Sequence, residues 1–170
     1  MPIQNHKIVL RVGDDISTDV IYPGRFMATV LPSETPQFAF ADHTVFNAKL
    51  KNKEIPAGSV IVGGKNFGCG SSREQACSTL KGYDLIVLAK GFARIFLQNA
   101  VNVGLKTIVS PTFEGSESDT LEFTATEVKN TTTGTSYPIV PLPKARQEIT
   151  DAGGLIPYTR KRLLQRAGKI

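Results

Sequence analysis

Ser59-Val60-Ile61-Val62-Gly63-Gly64-Lys65-Asn66-Phe67-Gly68-Cys69-Gly70-Ser71-Ser72-Arg73-Glu74 is the stretch on which the fold turns. Ser59–Val62 is a short, continuously apolar run, the pattern of a strand buried on both faces. A glycine-rich loop follows, and Ser72–Leu80 then has helical spacing. A second strand and helix follow downstream, without an internal sequence repeat. Asp84–Ala89 is a second apolar strand. Ala93–Val103 is a helix with Ile95, Phe96, Val101 and Val103 on its apolar positions, stopped by Gly104. Leu105–Val109 is a third strand. Strand, helix, strand, helix, strand in this order predicts a parallel sheet with right-handed crossovers.

Working outward, His6–Val12 alternates loosely and predicts a further strand ending at Gly13. Gly13–Arg25 is a long polar connection. Residues 26–56 look irregular, broken by Pro32, Pro36 and Pro56. In the last third, Thr120–Val128 and Thr135–Val140 flank the turn-rich Lys129–Gly134 and predict a β-hairpin. Pro143–Gly153 and Tyr158–Arg166 are expected helices. The expected fold class is α/β: one domain over residues 1–170, with a partly parallel central sheet, flanking helices and a C-terminal β-hairpin.

Composition removes several classes. The chain has 170 residues, 41% of them hydrophobic and 21% charged. That is too apolar for a disordered chain, and no apolar run approaches the ~20 residues that span a bilayer. Met1–Leu10 lacks the charged segment followed by an apolar run of a secretory leader, so a cytoplasmic protein is expected. Cys69 and Cys77 are too few for a disulfide framework or an iron–sulfur cluster. The net charge of +5 suits an anionic ligand or a nucleic acid. The densest basic run, Arg160-Lys161-Arg162, reads with Leu163 and Leu164 as a solvated helix. No basic strand rich in aromatics accompanies it, so neither nucleic acid nor membrane is an expected partner.

The glycine loop is the densest chemical signal. Its four glycines allow close backbone approach to a ligand. A helix start offers unpaired N–H groups to an anion, and Arg73 adds a planar fork suited to a carboxylate. Ser71 and Glu74 also fit an S-x-x-E capping box, in which Ser71 caps the helix. The loop is no P-loop, and Arg73 stands where G-x-G-x-x-G needs its third glycine. Asp14, Asp15 and Asp19 put three carboxylates in one loop, for which turn formation outweighs cation binding. Arg25 lies beyond Pro23-Gly24 as a candidate ligand-facing cation. Arg94 opposes the dipole of its own helix, which predicts a partner, either a buried carboxylate or the ligand, with a salt bridge beneath the loop preferred. Asn99 and Asn102 are expected interior polar anchors. His6 and His43 lack companions for a zinc site. Cys77 is expected to pack, and Cys69 to line the loop at a helix start.

These residues carry a resemblance. Gly68-Cys69-Gly70-Ser71-Ser72-Arg73-Glu74-Gln75-Ala76 resembles the signature of the aconitase swivel-domain family. Gly13–Asp19, Phe92–Phe96 and Asp151-Ala152-Gly153-Gly154-Leu155 resemble its other motifs in the same order. The size is similar to the separate small subunits of 3-isopropylmalate dehydratase and homoaconitase in their short archaeal-type form. The resemblance implies a swivelling β/β/α fold and a hydro-lyase acting on a small 2-hydroxy di- or tricarboxylate. It implies a [4Fe-4S] cluster carried by a large partner subunit, in a heterodimer or heterotetramer, with no metal held here. Carried over by position, Ser71 is the catalytic base. Arg73, Arg25, Ser72, Gly70, Ala28 and Thr29 contact substrate, and Asp14, Asp19, Glu74 and Arg94 support them. Gln75 replaces the histidine usual in bacterial members, a feature of the archaeal-type subunits. Arg25–Leu31 matches the substrate-selecting loop in position, with small, neutral Ala28 facing the variable group. Its composition fits neither the isopropylmalate nor the homocitrate pattern, which leaves another alkylmalate or a methylated citrate open. A non-enzymatic anion-binding module is the alternative of another class.

Overall fold

The computed structural model describes residues 5–168. Among these residues seven strands form one mixed sheet. They are β1 (His6–Arg11), β2 (Val60–Gly63), β3 (Ile86–Ala89), β4 (Lys106–Val109), β5 (Thr120–Phe123), β6 (Glu127–Asn130) and β7 (Thr135–Pro138), in the order β4-β3-β2-β1-β5-β6-β7. The first four run parallel, as expected. β1 turns the sheet antiparallel at its junction with β5. The predicted hairpin is a three-stranded meander, because its first arm breaks at Thr124–Thr126 into β5 and β6. There the Thr124 hydroxyl accepts from the Thr126 and Glu127 amides in a tight turn.

β2 and β3 are buried throughout, which is why they read as apolar runs. Successive side chains face opposite layers. Ile61, Val87 and Ala89 point into a core shared with Phe67, Leu80, Phe96 and Ala100. Val60, Val62, Ile86 and Leu88 meet Phe113, Leu121 and Val128 on the other face.

Among the described residues six α-helices accompany the sheet: α1 (Thr18–Ile21), α2 (Thr44–Lys51), α3 (Gln75–Lys81), α4 (Arg94–Val103), α5 (Lys144–Asp151) and α6 (Leu155–Arg166). α2 corrects the expectation of an irregular 26–56 segment. It buries only Phe46, Asn47 and Leu50, too few to show a periodic stripe. His43 caps it, Nδ1 accepting from the Phe46 amide at 3.3 Å. α3 begins three residues later than predicted, with consequences for the site. α6 begins at Leu155, ahead of the predicted Tyr158, because Pro157 is tolerated in a first turn. It carries its basic residues on a solvated surface with no buried side chain. None of the described helices is long and apolar enough to cross a membrane.

Candidate functional site

Because β1, β2 and β3 run parallel, the loops that follow them leave the same edge of the sheet. They are zipped together there. On one side the glycine loop pairs with the Gly13–Asp19 segment. Gly64 N–H donates to Gly13 O at 3.0 Å, Asp15 N–H to Lys65 O at 2.9 Å, Gly68 N–H to Ile16 O at 2.7 Å and Thr18 N–H to Cys69 O at 2.8 Å. On the other side Phe67 N–H donates to Gly91 O and Ala93 N–H to Phe67 O, both at 2.9 Å. Phe67 is fully buried and packs edge-on against Phe92 and Phe96. Gly68 has φ +81°, and a Cβ there would collide with the Phe96 ring. Gly70 has φ +93°, which turns the chain outward before Ser71.

The acidic loop is turn architecture. Asp14 Oδ1 accepts from Lys65 N–H at 2.7 Å, and Asp15 Oδ1 from Asn66 Nδ2 at 2.8 Å. Ser17 caps α1 by accepting from Val20 N–H. Cys69 is half-buried, its thiol 3.3 Å from Asp15 O. Cys77 is buried, and burial pushes its thiol far above the ordinary range. Among the described residues no group of three or more His, Cys, Asp or Glu could hold a metal ion.

Ser71 and Ser72 are exposed at the mouth of this strip. Ser71 is not a helix cap. α3 starts at Gln75, and Glu74 at its N-cap position makes no side-chain cap bond, so the S-x-x-E pairing does not form. Tertiary contacts hold residues 71–74 instead. Thr18 Oγ1 accepts from Ser71 N–H at 3.2 Å, and Asn99 Nδ2 donates to Ser72 O at 3.1 Å. Glu74 is therefore an exposed residue rather than a support. Cys69, six residues before α3, does not sit at a helix start either. Among the described residues the amides of Gly70, Ser72, Arg73 and Glu74 donate to no protein group, so the loop presents a cluster of open donors.

Arg73 is 14% exposed at its side chain. Its Nη1 donates to Asp19 Oδ1 and, at 3.3 Å, to Tyr22 O, while its buried Nε has no acceptor. Asp19 Oδ1 also accepts from Gly24 N–H at 3.2 Å. The Arg73 guanidinium holds the Asp19 carboxyl below its ordinary value. This junction ties the Gly24–Phe26 3₁₀ turn to the site. Arg25, next along, is not a free cation. It forms a two-pronged pair with Asp42, at 3.1 and 2.5 Å, and lies over the Phe26 ring. Ala28 is exposed, and Thr29 is half-buried with its carbonyl accepting from Tyr22 Oη at 3.3 Å.

Arg94 departs from expectation. It is exposed and forms no ion pair among the described residues, because the first turn of α4 opens to solvent that screens its charge. Asn99 and Asn102 are half-buried rather than interior: Asn99 donates to Ser72 O in an exposed bond, and Asn102 accepts from Gln98. Two residues that position the site, Thr18 and Asp42, escape the sequence reading. Thr18 sits in a polar run where nothing marks it as buried, and Asp42 faces Arg25 only through the fold.

Fold and site together define a swivel domain of the aconitase class. The aconitase C-terminal domain model matches residues 16–112, more than half of the chain. The chain belongs to this family. The 3-isopropylmalate dehydratase small subunit of Methanosarcina acetivorans is 39% identical over 160 residues, covering 92% of this chain and 96% of that one. The isopropylmalate/citramalate isomerase small subunit of Methanocaldococcus jannaschii is 41% identical over 165 residues, covering 92% and 94%. A crystal structure of 3-isopropylmalate dehydratase from Methanocaldococcus jannaschii superposes with a TM-score of 0.86 at 37% identity, over 99% of both chains.

Proposed function

We propose that this chain is the small subunit of a heteromeric hydro-lyase of the 3-isopropylmalate dehydratase kind, acting in the cytoplasm on a 2-hydroxy dicarboxylate. The observation that carries the reading is the assembly of Ser71, Arg73 and open loop amides at one edge of the sheet, in a chain that matches such small subunits over nearly its whole length. The family chemistry supplies an iron–sulfur Lewis acid for the departing hydroxyl. The residues here do not fit that cluster: one thiol is buried, the other is bonded in a loop, and among the described residues no third ligand joins them. The cluster therefore belongs to a large partner subunit, with which this chain forms a heterodimer or heterotetramer.

This chain contributes the base and a carboxylate clamp. Ser71 Oγ, once its own proton has passed to solvent, is the atom that takes a proton from the carbon next to the hydroxyl-bearing one, and returns that proton in the reverse addition. A serine oxygen does this only if its charged form is stabilised, and the neighbouring amides and Arg73 favour negative charge there. Arg73 receives a substrate carboxylate, for which the exposed Asp19 yields. Gly70 and Ser72 line the same mouth. Ala28 and Thr29 on the loop after Arg25 meet the variable group of the substrate.

The test is turnover of isopropylmalate, citramalate and homocitrate by the chain purified alone, the large subunit alone and the two together. Only the pair is expected to turn over. Ser71→Ala should lower kcat by ~10²–10⁴-fold. Its melting temperature should stay near wild type, since the lost hydroxyl caps no helix. Turnover by this chain alone after iron and sulfide loading would remove the partner from the reading. Near-normal kcat in Ser71→Ala would remove the base.

A further inference from the structure

We propose that Thr18 is a positioning residue whose hydroxyl clamps Ser71 and steadies its oxygen when that oxygen is charged. The inference rests on Ser71 being the base. Thr18 is 1% exposed, although it lies in a loop among polar residues. Its backbone is held from both ends. Its N–H donates to Cys69 O at 2.8 Å, and its carbonyl accepts from Tyr22 N–H at 2.8 Å within the turn of α1. Its Oγ1 accepts from Ser71 N–H at 3.2 Å. The same Oγ1 lies 3.3 Å from Ser71 O and 3.5 Å from Ser71 Oγ.

A threonine hydroxyl has one proton and two lone pairs. One lone pair is taken by the Ser71 amide, so the proton has two acceptors in reach, both on Ser71. While Ser71 is neutral, its carbonyl is the nearer. When Ser71 Oγ is charged, a hydrogen bond to it is roughly twice as strong as a neutral one. Rotation of the Thr18 proton then transfers the bond from carbonyl to oxyanion, with the Ser71 side chain closing from 3.5 Å toward the shorter length of a charge-assisted bond. The proton stays on Thr18 throughout. The β-branched side chain limits χ1, so the hydroxyl is aimed before substrate arrives. A donor to the charged oxygen raises the fraction of bound complexes whose Ser71 is ready to take the carbon proton and touches no substrate group, so its loss belongs in kcat and not in KM.

The experiment uses the reconstituted pair of subunits with Thr18→Val, which keeps the shape and removes the hydroxyl, and Thr18→Ser, which keeps the hydroxyl. Thr18→Val is expected to lose about 10–100-fold in kcat, the effect of one hydrogen bond to a charged group. Its KM should stay within about twofold, because Arg73 still holds the carboxylate. Thr18→Ser should retain kcat within about threefold. On a Ser71→Ala background Thr18→Val should add nothing. Should Thr18→Val not assemble, Thr18→Ala against Thr18→Ser makes the same comparison. Normal kcat in the hydroxyl-free variant overturns the inference. So does equal loss in Thr18→Ser, which would assign the effect to the methyl group. Active Ser71→Ala overturns the base itself, and inactive Ser71→Ala beside normal Thr18→Val overturns only the role of Thr18.

Discussion

In the free chain the Arg73 guanidinium is already engaged, by the Asp19 carboxylate and the Tyr22 carbonyl. Asp19 is 60% exposed, so water can replace Arg73 at little cost and a substrate carboxylate can take its place. Arg73→Lys keeps the charge but loses the two-pronged contact. We expect kcat/KM to fall about 10–100-fold, with KM rising, the effect of one or two charged hydrogen bonds. Steady-state kinetics of the reconstituted enzyme measure this, and an unchanged KM would place the substrate carboxylate elsewhere. Ser71 and Arg73 stand out in the sequence because glycines and a cation after an apolar strand form a distinctive string. Ser71 as a cap was the misreading. A capping box is a local pattern, and here Thr18 and Asn99 pull residues 71–74 out of the helix that the pattern would start. Arg25 illustrates the same limit, since Asp42 lies seventeen residues away and only the fold brings them together.

At the scale of elements, the middle strip of the site is held by one aromatic residue. Phe67 packs edge-on against both Phe92 and Phe96, with its backbone bonded to the loop after β3. Phe67→Ala should cost about 3–5 kcal/mol, the range for emptying a buried aromatic site. For a chain of this size that is a fall of roughly 10 °C in melting temperature. Turnover should fall with it, because the loop that carries Ser71 loses its floor. A melt within two or three degrees of wild type, about the effect of a single kcal/mol, would mean the strip is held by its hydrogen bonds alone. β2, β3 and α4 were legible because burial on both faces, or on one clean stripe, writes itself into composition. α2 was not, because its buried face is only Phe46, Asn47 and Leu50. The split of the expected hairpin arm was not, because the turn at Thr124 uses no glycine or proline.

Over the whole molecule, the carboxylates of Asp19, Asp42, Glu114 and Asp119 all lie below their ordinary values. The causes are, in turn, Arg73, Arg25, Lys90 and the Ser116 amide. A carboxyl lowered by folding stabilises the chain above its unfolded value, and that contribution disappears as pH falls through the folded one. The unfolded values are 3.8 for aspartate and 4.5 for glutamate. Melting temperature should therefore be flat from about pH 8 to about pH 5 and drop below that. Asp119→Asn should shallow the drop, since it removes the titrating carboxyl whose charged form Ser116 and Asn130 favour. A thermal melt series in pH measures both, and an unaltered acid limb in Asp119→Asn would exclude this carboxylate. The parallel half of the sheet was legible at this scale because strand and helix alternate along it. The antiparallel switch at β1 was not, since β1 pairs with β5 from far along the chain.

The place of β1 has a consequence for the order in which the chain is made. β1 is the earliest of the described strands, yet it lies in the middle of the sheet, beside β2 on one edge and β5 on the other. A chain leaving the ribosome therefore carries β1 with both edges bare until Val60 has been synthesised, and with one edge bare until Leu121 follows. The Gly13–Asp19 segment continues directly from β1, so its zipper waits only until Gly64–Cys69 has followed β2. The meander thus completes what the nucleotide-order of synthesis leaves open longest, and a transcript cut short before β5 would yield a chain with the site residues present and the β1 edge still seeking a strand.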